Sequence, residues 1–149
     1  MEAWGLDMNS AQFPAGRAAA RLPVALLALR IGVAIVMIAW SVDKLLRPDH
    51  AAGVFGAFYA LPGLSVPVFY LLGTAQLLVV LAFLAGAART WTYGAVLLMH
   101  AVSTFSSFRQ YLDPFEGPNL LFFAAWPMLA ACFALFLLRD ADTLLSFDE

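Results

Sequence analysis

Charge is what this chain has least of. Its 149 residues include eight Lys and Arg and ten Asp and Glu, 12% in all, against 63% apolar residues. A soluble domain carries about 25% charged and about 45–50% apolar residues. The cations stand singly rather than in a patch, which excludes nucleic acid as a partner. A lone cysteine, Cys132, cannot close an internal disulfide. With no CxxC pair and no Cys/His cluster, a zinc or iron–sulfur site has no ligand set, and dithiol redox chemistry within the chain is excluded. GxSxG and similar nucleophile motifs are missing, and no acid and base stand at catalytic spacing. These absences lean against an enzyme for the isolated chain.

What it has in quantity is apolar length, with a mean hydropathy of +0.85. This predicts an all-α integral membrane four-helix bundle, its spans at 22–46, 67–86, 90–111 and 118–138. Residues 21–140 form the bundle. Residues 1–20 form an N-terminal tail that meets the membrane through Trp4, Phe13 and Arg17, and 141–149 form an acidic C-terminal tail. The apolar run after Arg21 is longer than the roughly 7–15 residues of a secretory signal, so it reads as an uncleaved anchor. The stretch RPDHAAGVFGAFYALPGLSV is too broken to cross. It predicts a short interfacial helix, N-capped by Asp49 and ended at Pro62-Gly63, with Val54, Phe55, Phe58 and Tyr59 on its apolar side. Pro67 and Pro118 sit near helix starts, and Gly86 to Arg89 makes a tight turn.

The lysines and arginines flanking the spans set the orientation. Arg17, Arg21, Arg89 and Arg139 fall on one side, and Lys44, Arg47 and Arg109 on the other. The balance favours both termini in the cytoplasm, which leaves the two longer loops on the opposite face.

The third span, RTWTYGAVLLMHAVSTFSSFRQY, carries the chemistry. At 100° per residue, Arg89, Tyr93, His100, Ser103, Thr104, Ser107, Gln110 and Tyr111 share one flank, interrupted by Val96. Polar groups left unsatisfied in hydrocarbon cost several kcal/mol each, so this flank should face other helices or a wet cavity. Counting about 1.5 Å per residue from the loop-bearing face, His100 and Gln76 reach the same level near the midplane. Thr74, Ser103, Thr104 and Trp126 come somewhat shallower. Two readings stand side by side. In one, His100 and Gln76 donate to a polar head such as a quinone carbonyl, with Ser103, Thr104, Ser107 and Trp126 completing a ligand pocket. In the other, the same residues are hydrogen-bonding glue between helices, each worth about 1 kcal/mol. His50 lies in the interfacial loop and His100 at depth, so the two do not form a haem or metal pair, and no metal is expected.

Arg30, Asp43 and Lys44 are the structural charges. Arg30 sits about 12 Å inside the first span and needs a carboxylate, carbonyls or an anion beside it. Asp140 and Asp142, folding back from the fourth helix, are candidates, as are backbone carbonyls. Adjacent Asp43 and Lys44 point about 100° apart.

The run LRIGVAIVMIAWSVDKLLRP resembles the opening of the DoxX-like family, where an early Arg in the first helix precedes a small residue, two positions, then Lys-Leu. Arg30, Ser41, Lys44 and Leu45 match those positions, with Ser41 in place of the usual glycine and Asp43 as an addition. The aromatic interfacial segment, LPGL and GTAQLLVVLAFLAG extend the resemblance over residues 25–138. It implies a bacterial cytoplasmic membrane protein similar to subunits of thiosulfate:quinone oxidoreductase. Such a protein would sit in the lipid bilayer beside partner subunits or a second copy, as the anchor or membrane subunit of a redox complex, with quinone or lipid between its helices. Two rival expectations are a quinone-reducing subunit using His100 and Gln76, and a small transporter or proton path. The latter lacks the midplane carboxylate that pumps commonly use.

Overall fold

A computed structural model describes residues 15–147, and these are helical with no strand among them. The order is α1 (Ala15–Leu46), α2 (Pro48–Phe58), α3 (Val66–Leu84), α4 (Arg89–Ser106) and α5 (Phe108–Leu112). A 3-10 segment at Asn119–Ala124 then leads into α6 (Ala125–Leu137), and a 3-10 turn follows at Arg139–Ala141. Three stretches are long and apolar enough to cross a membrane: Ala18–Leu46, Val66–Leu84 and Asn119–Leu137. Helix α4 falls short on hydropathy because of its polar flank.

The helix boundaries differ from the expected spans for local reasons. The first helix reaches back into the stretch expected to be tail, because Ala18, Ala19 and Ala20 carry the highest helix propensity. Residues 1–14 lie outside the described residues, and with them Trp4 and Phe13. Asp49 does not cap α2. It sits inside the first turn, after Arg47 leaves helical geometry (φ −134°, ψ 61°) and Pro48 starts the helix. The third span was expected to run unbroken to 111, yet it stops at Ser106. The Ser106 and Ser107 hydroxyls both donate to the Ser103 carbonyl (2.8 and 3.2 Å), and such back-bonding competes with the helical ladder. The turn before α4 uses Gly86 (φ +64°) and Ala88 (φ +47°) in the left-handed region.

The four long elements close a ring: α1 packs on α3, α3 on α4, α4 on α6, and α6 back on α1, with α2 resting on α1 and α3. Leu26, Val33 and Met37 of α1 meet Val80 and Phe83 of α3, Tyr93 and Val96 of α4, and Cys132 and Leu135 of α6 in one core. Gly73 brings α3 close to α1, since a Cβ there would lie 2.9 Å from the Leu45 side chain. The polar flank of α4 is turned inward. Tyr93, Val96, His100 and Thr104 are each 1% exposed, while Trp91, Leu98, Val102 and Phe105 face out.

The end of the bundle where α3 turns into α4 is closed by the C-terminal segment. Arg30 and Asp142 are both fully buried and 3.5 Å apart. Tyr93 donates to Asp142 Oδ2 (2.6 Å) and accepts from Arg30 Nη1 (3.2 Å). Arg30 Nη2 donates to the Leu144 and Leu145 carbonyls. Ser146 Oγ donates to the Gly86 carbonyl (2.9 Å), and the Phe147 amide to that of Ala85 (3.1 Å). Residues 142–147, within the stretch expected as an acidic C-terminal tail, are therefore a strap docked on the bundle. A Cβ on Gly86 would collide with Arg30 and Ser146.

Candidate ligand site

An apolar groove of about 700 Å³ runs between α1, α4 and the 3-10 and helical parts of the last span. Small residues make the room: Ala28 and Gly32 on α1, Ala124, Ala125 and Ala131 opposite. From Ala28 to Trp40 it follows α1 for about 18 Å. Leu29, Trp40 and Leu121 on its walls remain exposed, so the groove is open at the side of the bundle.

Of the residues singled out in the sequence, His100, Ser103 and Ser107 line this groove. Thr104 is buried behind it, donating to the His100 carbonyl (2.8 Å). Trp126 lies off the wall, packed edge-on against Phe105 and tilted against Tyr111. Gln76 is on α3 and lines neither this groove nor the neighbouring cavity, so it does not join His100 at a shared ligand.

His100 Nε2 lies 3.0 Å from the Ala125 carbonyl. A carbonyl only accepts, so Nε2 carries the proton, and Nδ1 of the neutral ring is left as a lone-pair acceptor. Nδ1 has no partner among the described residues. Trp40 covers the ring at 5.8 Å between centroids. His100 therefore ties α4 to the start of α6, and its N–H is not free for a quinone carbonyl. Ser103 differs. Its carbonyl takes the Ser106 and Ser107 hydroxyls, while its own hydroxyl makes no hydrogen bond among the described residues.

A second cavity of about 280 Å³ lies under α2. It shares Trp40, Ser103, Ser107 and Phe122 with the groove, so the two adjoin. Its far wall is aromatic, with Phe55, Phe58 and Tyr59, and its floor is charged, with Asp43, Lys44 and His50. Asp43 accepts from Arg47 Nε (2.7 Å) and from His50 Nδ1 (2.8 Å). Lys44 Nζ donates to the Trp40 carbonyl (3.1 Å). Asp43 and His50 are seven residues apart across the α1–α2 joint. That spacing keeps one face over two helical turns, a signal the interruption at Pro48 concealed.

Among the described residues no group of His, Cys, Asp and Glu could hold a metal ion. No family model, curated protein or solved structure matches the chain.

Proposed function

We propose that this chain is a DoxX-like membrane subunit that holds a lipid-soluble molecule, of the quinone or lipid class, in the groove between α1, α4 and α6. In this reading α4 also crosses the bilayer. Its 18 residues span about 27 Å, close to the roughly 30 Å of hydrocarbon. Its polar groups face protein while Leu98, Val102 and Phe105 face lipid. The chain then has four spans in a bacterial cytoplasmic membrane, both termini inside, and anchors partner subunits of a redox assembly.

The observation that carries the reading is the groove itself. It is apolar, open from the side of the bundle, and adjoins a charged, aromatic cavity at the level of the interfacial helix. Sites for lipophilic ligands combine such walls with a few placed polar groups. The test is gentle purification followed by mass spectrometry of what remains bound. A single amphiphile in stoichiometric amount supports the reading, and its loss in Gly32→Leu assigns it to the groove. A protein free of bound amphiphile, or an amphiphile indifferent to Gly32→Leu, contradicts it. A Cβ on Gly32 meets nothing within 4 Å, so the substitution fills the groove without a clash at its root.

A further inference from the structure

We infer that the cavity under α2 receives the hydroxyl-bearing aromatic head of an amphiphile whose chain lies in the groove, with His50, oriented by Asp43, as the acceptor for that hydroxyl. The inference rests on the groove being a ligand site and adds where the head lies and what chemistry it has.

Three observations place the head here and not at His100. The two compartments share Trp40 and Ser103, and polarity rises from the groove to the α2 cavity. The groove's length of about 18 Å along α1 matches a chain occupying one half of a hydrocarbon core about 30 Å thick. Such a chain puts its polar end at the interface. His100, with its N–H held by Ala125, lies beside the path of the chain.

The head's chemistry follows from what its walls leave unpaired. The Asp43 carboxylate can only accept, so His50 Nδ1 carries the proton. In the tautomer with its proton on Nδ1, Nε2 is then an acceptor with no hydrogen bond among the described residues. Lys44 keeps N–H groups beyond the one given to Trp40, and the Ser103 hydroxyl is uncommitted. An acceptor facing donors across a small cavity suits a group that both donates and accepts, which a hydroxyl does and a carbonyl or ether does not. Phe55, Phe58 and Tyr59 offer ring faces and edges to an aromatic head.

The experiment compares para-dodecylphenol with para-dodecylanisole, its methyl ether, on the full chain in detergent, with bound probe counted by mass spectrometry. The two share a chain and differ in one O–H donor. We expect the phenol to bind wild type about tenfold more tightly, the size of one hydrogen bond to a strong acceptor. In His50→Leu the two probes should bind alike, and Asp43→Asn, which withdraws the carboxylate from Nδ1, should shrink the preference. Gly32→Leu should weaken both probes together. Equal affinity of the two probes for wild type overturns the hydroxyl site, and so does a phenol preference that survives His50→Leu. Loss of both probes in Gly32→Leu would still leave the groove standing in either case. If neither probe binds wild type, the groove belongs to another occupant, such as a helix of a partner chain, and both readings fall.

Discussion

The molecule has a charged cluster at each end, and the two are built on opposite terms. At one end Arg30, Tyr93 and Asp142 are sealed from solvent, and their bonds run to one another and to the carbonyls of the C-terminal strap. At the other end, Asp43 has a side chain 20% exposed and His50 one 54% exposed, beside a cavity. Buried charges are tolerated only when paired and hydrogen-bonded, and breaking such a set leaves an uncompensated ion. Half-exposed pairs contribute little to stability, so they are free to serve a ligand. The sealed cluster holds the fold together and the open one is available for chemistry.

The sharpest way to break this contrast is to remove one sealed partner. Arg30→Ala or Asp142→Ala should destabilise the bundle by about 3–5 kcal/mol, or abolish folding, measured as unfolding in mixed micelles. A loss below about 1 kcal/mol would reduce the cluster to the rank of a surface pair. Gly86→Ala comes next. A left-handed conformation costs an alanine about 1–2 kcal/mol, and the collision with Arg30 and Ser146 adds to it. The strap should loosen, read as faster proteolysis after Arg139. His100→Leu removes the hydrogen bond that ties α4 to the Ala125 carbonyl and should cost about 1 kcal/mol. Smallest of all, Asp43→Ala should change stability by less than about 1 kcal/mol, although it reorients His50.

Composition and periodicity made the membrane class and the inward flank of α4 legible. Tyr93, His100, Thr104 and Ser107 recur at steps of seven, four and three residues, which keeps them on one helix face, and a helix has no other way to hide them. The burden on Arg30 was equally readable, since a lone cation at depth needs a carboxylate, carbonyls or an anion beside it. Two acidic residues and backbone carbonyls were all candidates, and Asp142 together with the strap carbonyls supplies the answer. Other features were hidden for physical reasons. Depth alone put Gln76 level with His100, but depth says nothing about which side of the ring of helices a residue occupies. The end of α4 at Ser106 depends on hydroxyls bonding back to one carbonyl, a choice that a hydropathy pattern does not register. Asp43 and His50 meet across a helix joint whose geometry Pro48 and Arg47 set, so their seven-residue spacing became meaningful only in three dimensions.

The contrast between the two ends can be put to one measurement: the rise in Tm that saturating para-dodecylphenol produces in wild type, Asp142→Asn and His50→Leu. The account expects Asp142→Asn to start well below wild type yet keep the ligand-induced rise. It expects His50→Leu to start near wild type and lose most of that rise. A full rise in His50→Leu, or an Asp142→Asn protein as stable as wild type, would contradict the division between a sealed structural end and an open ligand-binding one.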